Sequence, residues 1–203
     1  MYQQFLEMVP AQYTGKEIVV ESAVQLKNSD EAKNFYALVK NRLLDVNYWH
    51  NLAGLFSAVF SVVDANGIEV DRLAENGDFI KIDVPGPGSS DGNGFDWVRI
   101  EEKKEIDEEN LQFSGFTVRP CANPWSNKKT IAHFYTAEAT SSFMVVRTGN
   151  EIKAMIFDRN LKANNVAATM TDKLRDTAVG ISAIGSFSKM QWQNLADGLI
   201  KQH

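Results

Sequence analysis

The sequence predicts one α+β domain spanning residues 1–203: a curved antiparallel β-sheet packed by an N-terminal helix and C-terminal helices. Three observations lead there. From Leu55 to Asp158 the apolar residues recur with the period of two that strands require, interrupted by Gly, Asn and Pro at turns. Helical stripes flank that block on both sides, after Ser29 and after Thr171. No repeat, heptad run or linker divides the 203 residues.

Residues 1–16 read as an irregular or weakly helical lead, and Glu17–Leu26 as a β-rich segment of strand length. Ser29 is placed to cap a helix, with Asp30 and Glu31 in the positive first turn. Ala32, Phe35, Tyr36, Val39 and Leu43 then form one apolar stripe that ends near Asp45. Phe56, Ala58, Phe60 and Val62 share a strand face. Asp64-Ala65-Asn66-Gly67 follows as a turn, because Asn and Gly tolerate positive φ. After Asn76-Gly77, Ile80, Ile82 and Val84 alternate with Lys81 and Asp83, and Pro85 stops the strand.

Strands are predicted at Phe95–Glu101 and Phe116–Arg119 with a charged stretch, Glu101–Asn110, between them; Ile131–Thr136 reads as another strand. Ser142–Arg147 pairs with Glu151–Asp158 around Gly149-Asn150. That register sets Val145 against Ala154, Phe143 against Ile156 and Met144 against Met155. Both faces of this hairpin are apolar, which demands cover on both sides or a cavity on one. At the C-terminus, Thr171 is placed to cap a segment with Leu174, Ala178 and Ile181, which Gly185 interrupts. Ser188 and Gln191 form a capping box before the stripe Trp192, Leu195, Ala196, Leu199 and Ile200.

Composition removes several functions. A 44% hydrophobic and 23% charged chain is neither disordered nor collagen-like. A net charge of -5 argues against a non-specific nucleic-acid binder and against docking on anionic lipid, though it does not exclude either locally. Cys121, the sole cysteine, excludes an internal disulfide. No apolar run reaches the length of a membrane span, and MYQQFLEMVP lacks the features of a signal peptide, so the expected compartment is the cytoplasm. The sequence is silent on oligomeric state.

Familiar chemistry is mostly missing. The loop Gly86–Gly94 (GPGSSDGNG) has no Lys-Ser/Thr pair and leads into a strand, so it fails as a phosphate cradle. Asp91, Asn93 and Asp96 lack calcium-loop spacing, and His50, His133 and His203 form no metal motif; no cofactor or metal is expected. No nucleophile elbow occurs, and Cys121 beside Pro120 reads as a buried structural thiol more readily than a partner of His133. His133 and Tyr135 fall on one face of their strand with Ile131. Arg99 shares a face with Trp97, and Arg147 with Phe143 and Val145. With Trp49 and His50, where the first helix meets the sheet, these make the candidate ligand site: an apolar surface with a few convergent polar groups. The plainer reading of each is a strand-end group reaching water or, for His50, a packing histidine.

The segments Gly77–Gly88 (GDFIKIDVPGPG), Gly94–Glu101 (GFDWVRIE), Val118–Pro124 (VRPCANP) and His133–Arg147 resemble a bacterial family of small proteins that brings no activity or site with it. The order strand, helix, antiparallel meander, C-terminal helix also resembles the helix-grip fold of START-like and polyketide-cyclase-like proteins. That resemblance implies a hydrophobic ligand held between sheet and terminal helix. Three functions follow as expectations: binding of a small hydrophobic or amphipathic ligand, a cyclase- or hydrolase-like enzyme using His133, Tyr135 or His50, or a partner-binding subunit exposing Trp125.

Overall fold

The computed structural model describes residues 3–54, 57–84, 89–164 and 178–202. A short helix α1 (Gln3–Leu6) leads into strand β1 (Lys16–Gln25), helix α2 (Ser29–Leu44), a 3-10 turn (Val46–Tyr48) and helix α3 (Trp49–Ala53). Strands β2 (Val59–Val63), β3 (Phe79–Asp83), β4 (Asp96–Glu108), β5 (Leu111–Pro120), β6 (Thr140–Thr148) and β7 (Glu151–Leu161) follow, and helix α4 (Ala178–Leu199) closes the fold. The strands form one antiparallel seven-stranded sheet in the order β1-β7-β6-β5-β4-β3-β2. Helices α2 and α3 carry the chain from one edge to the other, and each later strand pairs with its predecessor.

Curvature follows from the aromatic contacts. Strands lie about 4.8 Å apart, so β6 and β2 would stand about 19 Å apart in a flat sheet. Yet Trp49 has its ring 4.7 Å from Phe143 on β6 and 5.4 Å from Phe60 on β2. The sheet wraps around α2, α3 and α4, which is the helix-grip arrangement. One core fills the concave side with Val20, Ile80, Ile100, Val118, Ile156 and their neighbours, together with Leu43 of α2 and Leu195 of α4. A second covers the convex side, where Phe5 stacks on Phe113 at 5.2 Å and Met8 joins Met144 and Met155. The two apolar faces of the last hairpin therefore have cover on both sides. Its register is the predicted one: Phe143 opposes Ile156, Met144 opposes Met155 and Val145 opposes Ala154.

Five local expectations are corrected. The α2 cap is Asn28, whose side-chain oxygen accepts from the Glu31 N–H at 2.9 Å, and not Ser29. The charged stretch 101–110 is not a connection: β4 continues to Glu108 and turns directly into β5. Alternating polar residues suit a strand whose side chains meet partners, as Glu105 meets Lys40 of α2. Residues 131–136 are irregular apart from a bridge between Tyr135 and Ala163, because β5 is already paired on both edges. Finally, α4 runs unbroken through Gly185. A glycine costs a helix interior about 1 kcal/mol, which the buried stripe beyond it outweighs. Gln191 does not cap: its carbonyl oxygen accepts from the Ala58 N–H at 2.9 Å. Thr171 and Leu174 lie outside the described residues, as do Leu55, Phe56 and Pro85–Gly88. No helix among the described residues is long and apolar enough to cross a membrane.

Candidate functional site

Strand β7 alternates Ile152, Ala154 and Ile156 toward the concave core, and the next residue in that row is Asp158. Sheet register fixes its neighbours: Ser141 of β6 on one side and Ile18 of β1 on the other. Above it lies α4, from which the Trp192 indole N–H donates to Asp158 Oδ2 at 2.9 Å. Asp158 is 2% exposed, and among the described residues its Oδ1 has no hydrogen-bond partner. Burial dominates its protonation, raising the carboxyl to about 6; the Ser141 hydroxyl, the Trp192 N–H and the charge of Arg159 pull the other way. Arg159 sits on the opposite face, paired with Glu17 at 3.1 Å and lying 5.3 Å from the centre of the Phe157 ring.

Tyr135 completes the cluster. It packs against the concave core, and its phenol is pushed up to about 12 by burial and then by the charge of Asp158, with a hydrogen bond to Ser188 of α4 opposing. Trp192 packs edge-on to Phe143 at 5.1 Å and lies 6.2 Å from Phe60. The result is one titratable carboxyl with a free oxygen, in a wall of aromatic rings.

The predicted site residues do not converge. Tyr135 reaches this cluster. His133, two residues away, turns its Nδ1 back to accept the Tyr135 backbone N–H at 2.9 Å, and burial lowers its pKa despite the nearby Asp96. Trp49 fills the middle of the concavity at 1% exposure, its indole N–H shared by the Arg42 and Leu43 carbonyls. His50 lies beside it on α3, its Nε2 3.0 Å from the Asn51 amide. Trp97 is buried on the convex side, 4.7 Å from Trp125. Arg99 is exposed on that same side against Phe79.

Arg147 lies six residues along β6 from Ser141, about 20 Å away at strand spacing. It is fully buried, its three nitrogens donating to Gln112, Gly149 and Glu109 at 2.6, 2.6 and 2.7 Å. Trp125, the expected partner contact, is 46% exposed with its indole N–H bound to the Gly67 carbonyl.

Asp158, Ser141 and Trp192 were not among the predicted residues. The signal existed: a carboxyl in the inward row of a predicted strand, where an apolar residue belongs. The middle of the concavity holds Trp49 with Phe60, Phe116 and Phe143 packed around its ring, so free space there is not at the centre. A half-open cleft of ≈ 180 Å³ lies at the flank, between Ala53, Gly54 and Ser57 on one side and Phe187, Met190 and Gln191 of α4 on the other. Among the described residues no group of three His, Cys, Asp or Glu is placed to hold a metal.

No protein-family model and no curated protein matches the chain. Among solved structures it is similar to truncated norcoclaurine synthase from Thalictrum flavum, with a TM-score of 0.37 and 10% identity over 96% of this chain and 100% of that one. Major latex-like protein 151 from Panax ginseng gives 0.36 and 12% over 83% and 95%. The di-domain ARO/CYC BexL of the BE-7585A biosynthetic pathway gives 0.37 and 9% over 92% and 51%. At that overlap the fold assignment rests on this chain's own sheet order and helix placement.

Proposed function

We propose that the protein binds a small, largely apolar molecule between α4 and the concave sheet, anchored at Asp158. The supporting observation is the Asp158 carboxyl, buried on an apolar face with one oxygen unsatisfied. Such a group costs about 1–3 kcal/mol or more when left without a partner, so it marks a place where a partner belongs. Access requires α4 to part from the sheet, to which the Ser22 hydroxyl of β1 ties it by accepting from Gln193 and donating to Asp197. The flanking cleft opens at Gln191, the residue before Trp192.

A screen of small amphiphiles against the native protein, read by thermal shift and by tryptophan fluorescence, tests this. A ligand stabilises by binding the folded state alone. The expected result is a rise in melting temperature that Asp158→Ala abolishes. Stabilisation untouched by that substitution would move the site elsewhere.

One observation favours a second reading, an acid–base enzyme. A carboxyl titrating at about 6 beside a phenol suits proton transfer near neutral pH. Turnover of a bound compound, lost in Asp158→Asn with binding retained, would distinguish it.

A further inference from the structure

We propose that the molecule anchored at Asp158 is an organic cation, a primary or secondary ammonium on an apolar body. This rests on the binding reading above and goes further by naming the chemistry of the anchored group.

The groups around the carboxyl decide it. From β6 comes the Ser141 hydroxyl, from β1 the aliphatic Ile18, from α4 the Trp192 indole and from residues 131–136 the Tyr135 phenol. None of these carries a positive charge. Arg159 is committed to Glu17 across the strand, and Arg147 to three acceptors at the other end of the sheet. His133, the near imidazole, is held toward its neutral form by burial, with Nδ1 occupied as an acceptor.

Asp158 thus has a free acceptor oxygen and, among the described residues, no counterion on its own side of the sheet. A ligand hydroxyl would satisfy Oδ1 and leave the charge uncompensated. A ligand carboxylate would set a second negative charge beside the first. An ammonium satisfies the oxygen and neutralises the charge together, through a bond stronger than its neutral counterpart. The walls suit the apolar body of such a ligand, since Trp192, Phe143 and Tyr135 all belong to the concave hydrophobic core.

Three probes of equal chain length separate the possibilities: octylamine, 1-octanol and octanoate. Each is titrated into wild-type protein and Asp158→Asn at about pH 7.5, above the carboxyl's titration, by calorimetry and thermal shift. The expected result is octylamine binding about tenfold tighter than octanol, the scale of one charge-assisted bond. Asp158→Asn should erase that preference and leave octanol affinity in place. Octanol or octanoate matching octylamine, or a preference that survives in Asp158→Asn, overturns the cation assignment while the apolar site stands. If no probe binds or stabilises the wild type, the binding reading itself falls.

Discussion

Replacing Asp158 by Asn tests the buried carboxyl without any knowledge of its ligand. In the unfolded chain an aspartate titrates near 3.9. In the fold, burial raises this one to about 6. The native state therefore holds the proton more tightly than the unfolded state between these values. Its contribution to stability is fully present below about pH 4 and is lost as pH rises through about 6, a change of about 3 kcal/mol. Asn is nearly isosteric, carries no charge and keeps an acceptor for the Trp192 N–H. The two proteins should thus differ least near pH 4, and the variant should gain on the wild type through pH 7. For a chain of this size, about 3 kcal/mol corresponds to about 6–12 °C in melting temperature. Paired thermal or urea melts at successive pH values measure the difference directly, because every other titrating group cancels. Parallel curves across that range would refute the assignment, as would a variant that loses ground with rising pH.

Three further outcomes test the surrounding structure. Trp49→Ala empties the middle of the concavity and should cost about 3–5 kcal/mol, read from the urea midpoint. Gly198→Ala would bring a methyl to 2.4 Å from the Leu52 carbonyl oxygen, forcing α4 away from α3. Destabilisation of about 1–3 kcal/mol is expected there. Cys121 is half-buried and burial pushes its thiol up to about 12, so native protein should react with a disulfide reagent at least about a hundredfold more slowly than urea-unfolded protein at neutral pH.

Local pattern was enough to read most of the sheet. The Phe143–Ile156 and Met144–Met155 pairings follow from a two-residue turn at Gly149-Asn150 and the fixed alternation of strands, both short-range properties. Residues 131–136 misread because their β-rich composition is a local signal. Whether a strand forms there depends on an open sheet edge, which β5 does not offer. Gly185 misread for a related reason: the buried stripe from Trp192 to Leu199 sustains α4 through a residue that weakens it locally. The candidate site was the least legible part. Trp97 and Arg99 alternate correctly along β4, yet periodicity cannot tell which face of a twice-covered sheet is concave, and they lie on the other one.

Two buried ionic groups differ in how far the fold satisfies them. Arg147 and Asp158 both project from strands into the interior, at opposite ends of the sheet. Each nitrogen of Arg147 meets an acceptor, two of them the carbonyls of Glu109 and Gly149, so its charge ties together the turns that end the β4–β5 and β6–β7 hairpins. Removing it would break connections the fold uses. Asp158 is met by the Ser141 hydroxyl and the Trp192 indole N–H, which a neutral amide oxygen serves equally well. Its second oxygen and its charge do nothing for the fold and lower stability at neutral pH. Departures from local consistency of this kind concentrate where a site needs a group that folding does not. An unbalanced carboxyl under a helix, between Ser141 and Trp192, has the form of half an ion pair, which is what the proposed ammonium ligand would complete.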